Sequence, residues 1–124
     1  PLEGEVVGSA GPTTATRMDP YTPRLLEHTG LAGTIGEAGR GPGVVDSIRR
    51  TGTVYMIATG GAGFLQSRTI TGVRVLAYED LGTEAIRELE VEDFPVVVAV
   101  DSEGTNLHET GRARFAALDK EAGR

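Results

Sequence analysis

Ser9, Thr13, Thr14 and Arg17 fall within one short stretch, Gly8-Ser9-Ala10-Gly11-Pro12-Thr13-Thr14-Ala15-Thr16-Arg17-Met18-Asp19. The hydroxyls supply compact donors and acceptors, and the guanidinium supplies a planar fork of N–H groups. Gly8 and Gly11 let backbone come close to a ligand, while Pro12 fixes one φ angle. That combination suits an oxygen-rich small molecule, above all one bearing a carboxylate. Taken by itself, the same stretch also serves as an ordinary structural loop with a surface arginine.

Other chemistry-bearing groups are sparse. Gly60-Gly61-Ala62-Gly63 opens a helix and would present backbone N–H groups to an anion, but it is neither a P-loop nor a dinucleotide fingerprint. Close packing of that helix on a sheet is the plainer reason for its glycines. The two histidines, His28 and His108, stand far apart and read as a helix end and a surface site rather than metal ligands. There is no cysteine, so this sequence forms no disulfide and offers no thiolate to a metal cluster. The acidic density at Glu79, Asp80, Glu84, Glu90, Glu92 and Asp93 reads first as a solvated face, with contact to a partner as the second reading.

Net charge is −6, and Lys120 is the one lysine among twelve basic residues. No basic cluster with interleaved aromatics points to nucleic acid, and no apolar run is long enough to span a membrane. The reading is a soluble, cytoplasmic chain of 124 residues with one modest core.

The elements that must position these groups alternate between strand and helix. Glu5–Val7 reads as a short strand leading into the Ser9–Asp19 loop. Pro20–Thr29 reads as a helix with Asp19 as N-cap and Gly30 as stop. A brief strand over Ala32–Ile35 precedes a glycine-rich turn and a helix from Val44 to Arg50. Val54–Ala58 and Pro95–Val100 are apolar throughout, as buried strands are. Gly60 opens a helix to Ser67, Val73–Tyr78 is a strand, and Leu81 or Thr83 to Leu89 is a helix with Ile86 and Leu89 inward. Asp101–Gly104 is a turn, and Gly111–Gly123 a charged helical tail. The pattern predicts an α/β fold: a mixed or largely parallel sheet with helices packed on it. A domain over residues 1–110 is followed by a tail over 111–124.

The Ser9–Asp19 run resembles the substrate loop of the class I fumarase and L(+)-tartrate dehydratase family. The likeness is to the β subunit, which is the C-terminal domain of the single-chain enzymes. It continues through Tyr21-Thr22-Pro23, Gly52-Thr53-Val54-Tyr55 and Gly60-Gly61-Ala62. It is densest in Tyr78-Glu79-Asp80-Leu81-Gly82-Thr83-Glu84-Ala85-Ile86 and Leu89-Glu90-Val91-Glu92-Asp93-Phe94-Pro95. The resemblance implies a swivelling β/β/α-type domain and a hydro-lyase acting on a hydroxy(di)carboxylic acid such as malate or tartrate. Removing water from such an acid requires a base for the proton and a Lewis acid for the departing hydroxide. The resemblance implies a 4Fe-4S cluster on a partner α subunit as that Lewis acid. It also implies Thr13 at the proton-transfer site and Arg17 as the clamp on a substrate carboxylate. Ser9, Gly11 and Thr14 shape the substrate loop, with no cofactor or metal held by this chain.

Two departures bear on activity. Where the family carries a substrate-touching lysine after Ile-Gly, this chain has Ile35-Gly36-Glu37-Ala38, with Arg40 following. At roughly 5 Å and an effective dielectric near 20, one charge pair is worth about 3 kcal/mol, so exchanging lysine for glutamate costs a dicarboxylate roughly 6 kcal/mol. Glu37 would otherwise pair with Arg17 or turn out to Arg40. Family β parts also begin some fifty residues earlier, with a further substrate arginine. Three readings follow: a subunit of an iron–sulfur hydro-lyase, for the usual acids or a different one; a repurposed binding or assembly module; and a stand-alone enzyme using Pro1 or the Glu37–Arg40 turn. A chain with half a pocket is expected to work in company, with a partner subunit or as a homo-oligomer.

Overall fold

The computed structural model describes residues 6–59 and 63–121. Helices and mixed sheets divide between two compact units, one comprising residues 1–12 and 59–95, the other 13–58 and 96–124. Each is built around its own sheet, in keeping with the expected α/β class.

The larger unit holds α1 (Thr22–Thr29), β1 (Gly33–Gly36), α2 (Pro42–Thr51), β2 (Val54–Ile57), β5 (Val97–Val100) and α4 (Leu107–Glu121). Its sheet runs β1-β2-β5, with β1 parallel to β2 and β5 antiparallel to it. Both short helices stop where a glycine takes the left-handed conformation, Gly30 at φ 64° and Gly52 at φ 71°. Leu26, Val44, Ile48, Tyr55, Ala99 and Val100 form the core with Ala15. Exposed ion pairs from Arg50 to Glu27 (2.7 Å) and to Asp46 (3.0 Å) lie across the outer faces of α1 and α2. Pairs this open to water add little.

The smaller unit holds α3 (Gly63–Ser67), β3 (Ile70–Ala77) and β4 (Ile86–Val91). Here the structure overturns one expectation. Residues 81–89 do not form a helix: a 3-10 turn over Glu79–Glu84 leads into β4, which pairs antiparallel with β3. Gly82, at φ 58° and ψ −112°, breaks any helical run. Over Glu88-Leu89-Glu90-Val91 charged and apolar residues alternate, a two-residue period that ladder pairing exploits. Val73 sits opposite Leu89, and Arg74 opposite Glu88 with an ion pair of 2.8 Å.

Smaller differences have local causes. β5 is apolar but not buried throughout, since Val97 and Val98 are exposed and only Ala99 and Val100 reach the core. The C-terminal helix begins at Leu107 rather than Gly111, because Asn106 Oδ1 accepts the His108 N–H (3.1 Å) and starts it earlier. Of the strand expected at residues 5–7, Val6 and Val7 form a bend, and Glu5 lies outside the described residues.

Gly36 is where the larger unit has least room. A Cβ there would meet the Ala15 Cβ at 2.7 Å and the Tyr55 hydroxyl at 3.0 Å. Gly36→Ala is therefore expected to destabilise the fold by about 1–3 kcal/mol in urea denaturation. A change below 0.5 kcal/mol would show that the Ala15 segment does not lie against β1.

The Asp101 turn predicts an acid dependence. Backbone N–H groups of Thr105 and Glu103 donate to Asp101 Oδ1 (2.9 and 3.0 Å), and these bonds, led by Thr105, hold its carboxyl below the usual range. Its stabilising effect is complete above the unfolded pKa and is lost as pH falls through the lower folded value. The Tm gap between the natural chain and Asp101→Ala should accordingly be wide at neutral pH and close on strong acidification. An unchanged gap would contradict the turn's electrostatic role.

Candidate functional site

Four of the six sequence-predicted site residues, Thr13, Thr14, Arg17 and Glu37, fall together in the larger unit. A 3-10 turn over Ala15–Met18 carries Arg17 back toward the residue four positions before it, so that its guanidinium donates to Thr13 Oγ1 at 3.0 Å. Thr13, Thr14 and Arg17 are all exposed. One donor is used on the threonine, which leaves the rest of the fork open. Because Thr13 Oγ1 accepts from a cation, its own O–H is polarised and free to donate outward.

Glu37 follows β1 and lies beside this loop. Its backbone carbonyl accepts the Ala15 N–H at 2.9 Å, and Thr14 and Glu37 form a parallel bridge. Ala15 turns inward and is buried, which anchors the loop to the core while its neighbours face out. The Glu37 side chain is half-buried, and among the described residues its carboxylate joins neither Arg17 nor Arg40 in an ion pair. Neither alternative pairing for Glu37 forms: Arg40 is engaged with Asp19, and Arg17 donates to Thr13.

The Arg40 side chain is only 5% exposed and binds Asp19, itself 18% exposed, at 2.7 Å. Its guanidinium also donates to Thr22 Oγ1 and lies over the Tyr55 ring, 5.3 Å from the centroid. The second Asp19 oxygen accepts the Gly41 N–H at 2.7 Å. A side chain at residue 41 would crowd that oxygen at 2.9 Å, so glycine lets the two segments meet. Thr16 Oγ1 adds a bond of 2.8 Å to the Gly39 carbonyl, and the Tyr55 hydroxyl donates to the Ala38 carbonyl at 2.8 Å. Burial pushes the Tyr55 phenol up, Arg40 opposes that, and Asp19 and Glu37 add to it. Residues 16–19 and 38–41 are thus bound to each other and to β2.

Asp19 was expected as the N-cap of α1. The helix starts at Thr22 behind Tyr21, with no side-chain cap, and the Asp19 carboxylate goes to Arg40 and Gly41 instead. Nothing in local spacing announces a pair 21 residues apart.

Ser9 and Gly11 lie in the smaller unit. There the Ala10 N–H donates to the Gly63 carbonyl at 3.0 Å. Gln66, fully buried, donates from Nε2 to the Thr59 carbonyl at 2.8 Å and turns Oε1 toward Gly11, where an added Cβ would come within 3.2 Å. Gln66 drew no attention in the sequence, because a single glutamine carries no spacing signal. Of the glycine-rich turn before α3, Gly60, Gly61 and Ala62 lie outside the described residues. His28 sits in the last turn of α1 with Nδ1 2.8 Å from the Arg24 carbonyl, and His108 is exposed.

Among the described residues no group of three or more His, Cys, Asp or Glu side chains could hold a metal ion. An iron–sulfur cluster does not fit this chain, which has no cysteine to bind it. No helix of the described residues is long and apolar enough to cross a membrane.

The buried pair yields a stability prediction. Arg40→Met leaves the Asp19 carboxylate without its partner and is expected to cost about 3 kcal/mol, near the low end for a broken buried pair because Asp19 retains some water. Asp19→Asn combined with Arg40→Met should recover part of that loss. A double variant no more stable than Arg40→Met would contradict the coupling.

Comparison with known proteins places the sequence among its relatives. The family model described as Fumarase C-terminus matches residues 1–111. Fumarate hydratase 2 of Leishmania major is 39% identical over 107 residues, 86% of this chain and 19% of the relative. The anaerobic class I fumarate hydratase of Escherichia coli K12 is 40% identical over 101 residues, 81% of this chain and 18% of the relative. A Methanocaldococcus jannaschii protein provisionally named an L(+)-tartrate dehydratase subunit beta is 34% identical over 104 residues, 82% of this chain and 53% of the relative. The chain therefore spans about a fifth of the fumarate hydratases it matches and about half of the shorter relative. On the strength of the match over residues 1–111, the chain belongs to the fumarase C-terminus family.

Proposed function

We propose that this chain is the β, or C-terminal, part of a hydro-lyase that adds or removes water on a hydroxy carboxylic acid. The observation that carries the reading is the exposed Arg17 guanidinium held 3.0 Å from Thr13 Oγ1 on a loop anchored to the core. The relatives' names, fumarate hydratase and tartrate dehydratase subunit beta, support it. Arg17 would bind one substrate carboxylate through paired N–H bonds. Thr13, polarised by Arg17, would orient the acid and pass a proton at its hydroxyl rather than act as the primary base. Thr14 would contribute backbone and hydroxyl contacts. The Lewis acid for the departing hydroxide, a 4Fe-4S cluster in this reading, belongs to a cysteine-bearing α part.

Glu37 supports a second reading. Its carboxylate, unpaired among the described residues, repels a second carboxylate on the ligand, as a domain kept for binding or assembly would permit. The two readings separate in one experiment. The tagged chain is recovered under oxygen-free conditions with its cysteine-bearing partner, and hydration and dehydration are assayed with the natural chain and with Arg17→Ala. Because Arg17 is exposed, the variant should keep its Tm while kcat/KM falls about 100-fold or more. Full activity in Arg17→Ala would remove the clamp. A stable complex with no turnover of any hydroxy acid would favour the assembly reading.

A further inference from the structure

The segments that form the site, residues 13–19 and 33–41, contain two cations, Arg17 and Arg40. Their environments differ sharply. Arg40 is enclosed at 5% exposure and spends its donors on Asp19 and Thr22. No ligand reaches it without breaking that pair. Arg17 remains exposed, with a neutral hydroxyl as its one described partner. On the neighbouring segment Glu37 presents a carboxylate that no described cation neutralises. The Thr14–Glu37 bridge lays the Glu37 backbone beside the loop on which Thr13 holds Arg17. Bridged strands lie roughly 4.8 Å apart, so both charged residues stem from backbone within reach of one small molecule.

We infer that the acid taken by this site carries one carboxylate, for Arg17, and one ammonium group, for Glu37, and so is an amino acid in the broad sense rather than a dicarboxylate. The inference rests on the reading of Arg17 as a carboxylate clamp and extends it to the other end of the ligand. A second carboxylate would meet Glu37 on the adjacent segment, with Arg40 too deeply committed to screen it. Because Glu37 is half-buried rather than enclosed, water screens it, and the full unscreened cost of a charge exchange does not apply. A preference of about tenfold is the expected scale.

Titration of the full isotope-labelled chain at neutral pH tests this, with β-alanine, succinate and propionate as probes. The amide resonances of Thr14, Arg17 and Glu37 report binding. β-Alanine should bind about tenfold more tightly than succinate, with propionate between them. Glu37→Gln should bring the three within about threefold of one another, and Glu37→Lys should put succinate first. Succinate equal to or tighter than β-alanine on the natural chain, or an order unchanged in Glu37→Lys, would overturn the inference. If the acids bind, and Arg17→Gln abolishes that binding while Glu37 variants have no effect, the clamp stands and the ammonium subsite falls. If no acid moves these resonances, or Arg17→Gln changes nothing, the clamp falls and the subsite with it.

Discussion

The Asp19–Arg40 pair holds the larger unit's functional edge together. One carboxylate takes the Arg40 guanidinium and the Gly41 N–H, and that guanidinium also reaches Thr22 and covers Tyr55. A buried pair of this kind offsets the desolvation of both charges only when its remaining hydrogen-bonding groups are satisfied, and here they largely are. The consequence is geometric. Residues 16–19 cannot move away from 38–41 without breaking several polar contacts at once, so the loop carrying Thr13 and Arg17 keeps a defined place beside Glu37. Ala15 in the core and the tight fit at Gly36 reinforce the same arrangement from the apolar side.

That latch also sorts the charges. It removes Arg40 from solvent and leaves Arg17 and Glu37 as the ionised side chains that this edge presents. Among the described residues the two do not join as an ion pair, so each can act on a ligand. Under the proposed reading, a carboxylate at this position changes the charge offered to a ligand without disturbing the loop that holds Arg17. The backbone role of Glu37, accepting the Ala15 N–H, is independent of its side chain. A substitution that changes charge there leaves the loop anchor in place.

Much of this was legible in the sequence, and the failures share a cause. The hydroxyl-and-arginine loop, both glycine-stopped helices and the apolar strand β2 follow from local composition and period, although only Tyr55 of β2 is buried. The helix expected over residues 81–89 was wrong because Ile86 and Leu89 fit one face of a helix, whereas the two-residue period of the strand shows only over Glu88–Val91. Pairing with β3, a contact far along the chain, decided between them. Asp19 followed the same pattern. Next to a proline-started helix it has the chemistry of an N-cap, and only the approach of Arg40 and Gly41 from 21 and 22 positions away drew it into a different bond. The Arg40 pairing open to Glu37 failed as a direct result, since Arg40 was already taken. Gln66, with its amide fixed by the Thr59 carbonyl, was invisible because burial of a single polar residue leaves no periodic trace.

The unequal fate of the two arginines can be measured directly. Hydrogen exchange at the arginine Nε–H groups, followed by NMR on the full chain, separates a guanidinium locked in a buried pair from one open to water. The Arg40 Nε–H, which donates to Asp19 at 2.7 Å, should exchange slowly and lose that protection in Asp19→Asn. The Arg17 Nε–H should exchange at the rate of a solvent-exposed arginine. Rapid exchange at Arg40, or protection at Arg17 matching it, would contradict the division of labour between a structural and a ligand-binding arginine on which the functional reading depends.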